Sequence, residues 1–195
     1  MQWVIRPMAD EHHDYRGYGG QVSSGVWRVG DEVLVLPSGR RSRVAHVETA
    51  DGPLEAAYPG ACVTIRLEDD LDVGRGDMLV DPDRAPIVAR ELDATLCWMS
   101  ERPLQPRSRL VVKHTTRTTR AIVDDLRSVV NIEMLEDMSS PAQFELNDIG
   151  RVALRLAEPL VVDPYRENRS TGAFILIDEA TNETVGAGMV LDAES

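Results

Sequence analysis

Apolar positions along this chain recur with a period of two, in short runs broken by glycine, proline and aspartate. Residues 61–68 are the clearest case: Val63, Ile65 and Leu67 fall on one side, Thr64, Arg66 and Glu68 on the other. That alternation predicts a strand with one buried face. Residues 2–6, 31–37, 43–49 and 76–80 read as further strands. Pro7 stops the first, Pro37-Ser38-Gly39-Arg40 turns the second, and Asp51-Gly52 is a hairpin signal. Between Arg16 and Gly25 the glycine density disfavours helix and suits bent strands. Turn signals spaced about 8–12 residues apart point to a small barrel or sandwich.

Asp81-Pro82-Asp83-Arg84-Ala85-Pro86 interrupts this pattern with two prolines and three charges, the composition of a linker. The pattern then restarts. Residues 87–99 predict a long strand, and 109–115 with 118–130 a valine- and threonine-rich antiparallel pair. Residues 133–146 are acidic, contain Pro141, and are expected to hold one helical turn at most. In 151–156, Val152, Leu154 and Leu156 alternate with Arg151 and Arg155. Residues 173–177 are apolar on both alternating faces, which suits burial on two sides. A turn at Ala180-Thr181-Asn182-Glu183 and a closing strand at 184–190 follow. The expected fold class is therefore all-β, with two successive domains at 1–84 and 85–195.

Charge narrows the functional classes. Among 195 residues, 33 are acidic and 21 basic, for a net charge of −12. Such a surface disfavours nucleic acid, whose phosphates need cations. Lys113 is the sole lysine, so no phosphate-binding loop of the Gly-x-x-x-x-Gly-Lys-Ser/Thr type is present. Gly17-Tyr18-Gly19 lacks the third glycine of a dinucleotide fingerprint. Cys62 and Cys97 lie in separate apolar runs and are expected to be buried, reduced thiols. Absence of an apolar run of membrane length fits a cytoplasmic, soluble chain.

The remaining chemistry is sparse. His12 and His13 are adjacent, so in a strand they would point apart, an arrangement that favours a solvated loop over a metal site. His46 and His114 read as packing residues of strands. Glu68-Asp69-Asp70-Leu71-Asp72 lacks the alternate spacing of a calcium loop and reads as a solvated turn. Lys113, His114, Arg117 and Arg120 form the main basic cluster, either an anion-facing patch or a solvated strand face. Arg166 and Arg169 share a short polar loop with Asp163, Glu167 and Asn168, a composition that suits an interface.

Several motifs resemble known proteins. Arg16-Gly17-Tyr18, Gly20-Gln21-Val22, Val29-Gly30-Asp31-Glu32-Val33, Ala61-Cys62-Val63-Thr64-Ile65 and Arg75-Gly76-Asp77 resemble the second domain of translation-factor-type GTPases, the barrel of elongation factor Tu. A narrower resemblance, carried above all by Asp163-Pro164-Tyr165, Asn168-Arg169-Ser170-Thr171-Gly172, Ile175-Leu176-Ile177-Asp178 and Val185-Gly186-Ala187-Gly188-Met189, is to the large, GTPase subunit of heterodimeric sulfate adenylyltransferase. It covers essentially the whole chain.

This resemblance implies two antiparallel β-barrels of the translation-factor domain II and domain III type. It also implies a parent enzyme that joins ATP and sulfate to give adenylyl sulfate and pyrophosphate, driven by GTP, with GTP, ATP and Mg as cofactors. The motifs of the GTPase domain are not in this sequence, so the barrels are expected to hold no cofactor and to be inactive alone, a segment excised from a longer protein. The implied partners are the adenylyltransferase small subunit, the GTPase domain and, in bifunctional relatives, an adenylylsulfate kinase domain. Arg16 and Tyr18 in the first barrel and Arg166, Asn168 and Arg169 in the second are the candidate interface residues. The alternative is a free-standing translation-factor-like module that binds protein or RNA.

Overall fold

The structure is a computed structural model, and it describes residues 1–6, 15–131, 136–139 and 141–194. His12 and His13 lie outside the described residues. The chain divides into two compact units, Met1–Pro86 and Ile87–Ser195.

The first unit contains β1 (Trp3–Ile5), β2 (Gly17–Gln21), β3 (Trp27–Arg28), β4 (Glu32–Leu36), β5 (Arg40–Thr49), β6 (Gly52–Pro53), β7 (Ala56–Ala57), β8 (Cys62–Leu67) and β9 (Met78–Val80). Its main sheet runs β1-β2-β8-β5-β4-β9, with β6 attached to β5 and a separate β3–β7 pair. The Met1 amino group donates to the Asp77 carbonyl at 2.6 Å, and the Gly76 amide donates to the Met1 carbonyl at 3.1 Å. These bonds bring the start of β1 to the turn that feeds β9, so the sheet curls back on itself. Val33, Val35, Val44, Val47, Val63 and Ile65 point inward and form the core. Alternation places them in β4 and β8, and in β5 a register shift between Val44 and His46 brings Val47 to the same face as Val44. The proline-rich connector is a single 3-10 turn at Pro82–Arg84, capped by the Asp81 side chain.

The second unit contains β10 (Ile87–Trp98), β11 (Arg109–His114), β12 (Arg117–Asn131), β13 (Glu136–Ser139), β14 (Ile149–Val162), β15 (Ala173–Ile177) and β16 (Thr184–Glu194). Strands pair in the order β11-β15-β16-β10-β14-β12, and β12 pairs back to β11. This is a closed six-strand barrel, an arrangement that leaves its six members without a free edge. β13 adds to β12 outside the ring, where the sequence suggested a helical turn.

The interior of this barrel holds Leu92, Leu96, Leu154, Leu160, Leu176, Phe144 and Phe174. Facing positions alternate large and small. Gly188 lies opposite Phe174 in the register, and a methyl group there would sit 2.2 Å from the Phe174 ring. The Gly-Ala-Gly of β16 thus makes room for a core phenylalanine. β15 is buried on one side only, since Phe174 and Leu176 are enclosed while Ala173, Ile175 and Ile177 are half-buried. Burial on two sides would need a second layer over the outer face of the barrel.

Both cysteines depart from the expected burial. Cys62 is exposed and Cys97 half-buried, and both are free thiols. In each strand the neighbours take the inward positions: Val63 after Cys62, and Leu96 and Trp98 around Cys97. Among the described residues, no helix is long and apolar enough to cross a membrane.

Candidate interface surfaces

The first surface is built where β2 meets the acidic run. Arg16 lies just before β2. Its guanidinium donates to the Leu71 carbonyl at 2.9 Å and pairs with the Asp70 carboxylate. Tyr18, two residues on and on the inward side, is 2 % exposed and donates its hydroxyl to the same carbonyl at 2.7 Å. Burial of the phenol pushes its pKa up. Tyr18 is therefore a core residue, not a surface one, because the β2 alternation turns its ring into the barrel. Arg16 alone of this pair reaches the surface, and its side chain is only 24 % exposed.

The acidic run is solvated, with Glu68, Asp69, Asp70 and Asp72 all exposed, and it also serves as a junction. Asp69 accepts from the Ser42 hydroxyl at 2.8 Å, and the Asp69 amide donates to the Ser42 oxygen at 3.2 Å. Asp70 and Leu71 hold Arg16 and Tyr18. Nothing in the sequence singled out Leu71, because its contribution is a backbone oxygen. Among the described residues, no group of three or more His, Cys, Asp or Glu side chains is placed to hold a metal.

A second cluster lies on the outer side of the first unit. Tyr15 donates to the Glu48 carboxylate, and the Arg66 guanidinium lies 5.0 Å from the centre of the Tyr15 ring. Burial, followed by the Glu48 hydrogen bond, pushes the Tyr15 phenol up to about 12.

The second surface is the loop between β14 and β15. The Pro164 carbonyl accepts from the amides of Glu167 and Asn168, at 2.9 and 3.1 Å, which winds residues 164–168 into a tight turn. The Asn168 side chain accepts from the Ser170 amide at 3.1 Å, and the Asn168 carbonyl accepts from the Gly172 amide at 2.8 Å. Asn168 thus shapes the loop. Arg166 is 82 % exposed, with Glu167 at 3.7 Å its ion-pair partner. Arg169 is exposed, and among the described residues it makes no ion pair.

This loop is anchored from below. The Tyr165 amide donates to the Val190 carbonyl and the Val190 amide to the Gly172 carbonyl, both at 2.8 Å. A methyl group at Gly172 would lie 2.4 Å from the Tyr165 Cα and 2.8 Å from the Asn168 carbonyl oxygen. Only glycine permits that approach. The Thr171 hydroxyl donates to Asp163 at 2.5 Å, and the Thr171 carbonyl lies 2.7 Å from His114 Nε2. A carbonyl only accepts, so Nε2 carries the proton. His114 is 1 % exposed, and burial lowers its pKa despite the Thr171 bond and the nearby Asp163 charge.

The basic cluster splits accordingly. Lys113 and Arg120 point outward, with Arg120 paired to Glu179; His114 points inward; Arg117 pairs with Glu158 at 3.3 Å. Across β10, β12 and β14, Asp93 accepts from Arg127 at 2.6 Å and Arg151 at 3.1 Å. Arg117, Arg127, Arg151 and Arg155 thus tie strands together.

An open-ended curled sheet followed by a closed six-strand barrel, both antiparallel, is the two-barrel arrangement of translation-factor-type proteins. The solved structure of Sup35 complexed with GDP superposes with a TM-score of 0.86 over 99 % of this chain and 46 % of that one, at 17 % identity, which shows the common fold. Residues 91–191 match the family described as GTP-eEF1A C-terminal domain-like, and the chain belongs to it. Its homologues include the bifunctional enzyme CysN/CysC of Mycobacterium tuberculosis, 47 % identical over 98 % of this chain and 31 % of that protein. Sulfate adenylyltransferase subunit 1 of Bacteroides fragilis is 44 % identical over 98 % of this chain and 39 % of its own length. The chain thus spans well under half of the curated relatives it matches.

Proposed function

We propose that this chain supplies the two barrels of the large subunit of a GTP-dependent sulfate adenylyltransferase and acts there as a non-catalytic coupling scaffold. The observation that carries the reading is the 47 % identity to CysN/CysC over 98 % of the chain, although the match fills only 31 % of that relative. The parent protein joins ATP and sulfate into adenylyl sulfate and pyrophosphate in the cytoplasm, using GTP and Mg in a separate GTPase domain. The adenylyl transfer itself belongs to a small partner subunit. In a parent of the CysN/CysC type an adenylylsulfate kinase domain is a further neighbour.

Coupling GTP hydrolysis to an uphill transfer requires an element whose interfaces differ between two states, since a spectator with equal contacts in both shifts nothing. The surfaces at Arg16 and at Arg166, Asn168 and Arg169 are the proposed contacts. The test mixes the chain with the adenylyltransferase small subunit and follows complex formation by sedimentation, alongside calorimetry with GTP and ATP. Association with the small subunit and no heat from either nucleotide is the expected result. Failure to associate, together with RNA binding that falls steeply with salt, would replace this reading by that of a free-standing nucleic-acid module.

A further inference from the structure

We infer that His114 is the positioning residue of the loop at residues 163–172, and that it holds the loop in its docking shape only while the imidazole is uncharged. This rests on the proposed scaffold function for what the loop docks against, but not for the anchoring itself. His114 ends β11, at the hairpin into β12 where Thr115 takes a φ of 50°. Its Nε2 donates to the Thr171 carbonyl at 2.7 Å, which also accepts from the Asp163 amide at 3.3 Å. Thr171 in turn donates through its hydroxyl to Asp163. One buried side chain thus joins the β11–β12 hairpin to both ends of the loop. Arg166 and Arg169 are carried on the outer side of that loop. The partner such a loop fits is a protein surface bearing carboxylates, here that of the adenylyltransferase small subunit.

The charged and titratable groups around His114 are few. The loop contributes Asp163, whose carboxylate is engaged by Thr171. β12 contributes Arg117, which is paired to Glu158 of β14; Lys113 precedes His114 on its own strand and points outward. Ala173–Ile177 in β15 has no titratable residue. The Thr171 carbonyl and, after it, Asp163 favour the imidazolium, and burial outweighs both. A second proton on the ring creates a cation with little access to water, and opening the loop supplies that water. Linkage fixes the sign: the open form binds the proton more readily, so opening increases as pH falls below about 6.5, by at most about tenfold per pH unit.

The experiment uses the full chain in three forms: wild type, His114→Gln and His114→Leu. A glutamine amide still donates to Thr171 but does not titrate, and leucine does neither. Amide exchange at Gly172 and Val190, corrected for intrinsic rates, is followed from pH 7.5 to 5.5. Wild type is expected to lose protection below about 6.5, His114→Gln to keep near-wild-type protection with a flat profile, and His114→Leu to lack protection throughout. A flat wild-type profile, or the same profile in His114→Gln, overturns the proposal. Affinity for the small subunit is then measured over the same range. Wild-type weakening of up to about tenfold per pH unit, absent in His114→Gln, supports docking through this loop. Binding that ignores pH while the loop opens overturns docking through it. Absence of binding at every pH overturns the scaffold reading instead, and the exchange profiles alone then decide the anchoring.

Discussion

At the scale of single residues, the polar groups that matter are those whose partners are backbone carbonyls. Tyr18 and Arg16 converge on Leu71, and His114 meets Thr171. Replacing Tyr18 by Phe is expected to cost about 1 kcal/mol by leaving one buried hydrogen bond unmade, with association to a partner unchanged; denaturant unfolding beside a binding titration checks both. Gly172→Ala is expected to be worse, about 1–3 kcal/mol, because the new methyl meets backbone atoms rather than a yielding side chain. The pH dependence at alkaline values is also set here. Tyr15 ionises at about 12 in the folded chain, against about 10 unfolded. The stability it carries is complete below pH 10 and is lost as pH rises towards 12. Absorbance at the tyrosinate band should show the highest-pH step vanish in Tyr15→Phe.

At the scale of elements, burial follows alternation wherever a strand has one neighbour layer. β8 placed Val63 and Ile65 inward as its sequence required, and β14 did the same with Val152, Leu154 and Leu156. β15 is buried on one side only, and a run of five apolar residues does not by itself say whether its outer face has a cover. Cys62 and Cys97 differ from expectation because they take outward positions, beside inward apolar neighbours, in their strands. Cross-strand charges act at this level too. Asp93 bridges Arg127 and Arg151 and so ties β10 to β12 and β14. Asp93→Ala is expected to lower stability by about 1 kcal/mol, less at high salt, since both guanidinium groups are near half exposed. A melting series against sodium chloride measures it.

At the scale of the whole molecule, each unit has its own core and the break falls between Pro86 and Ile87. Residues 87–195 expressed alone are expected to fold to a cooperative β structure, because their barrel closes on itself and its core includes Leu92, Leu96, Leu154 and Phe144. Circular dichroism and thermal melting test this. A core truncation such as Leu154→Ala should cost about 2–5 kcal/mol there.

The sequence by itself determined the all-β class, most of the longer strands and the family, because those depend on local alternation, turn residues and contiguous motifs. Asn168-Arg169-Ser170-Thr171-Gly172 was legible as a motif, and its composition already marked an exposed polar loop. Tertiary structure decided which of its members face out and which hold the loop in place. Asn168 shapes the turn, Gly172 admits the Tyr165 backbone, and the anchor is a histidine 57 residues away in sequence. It likewise moved Tyr18 from the surface to the core and made Leu71 the oxygen that receives it. Those assignments rest on long-range contacts and on backbone oxygens that every residue possesses, and neither leaves a trace in the order of side chains.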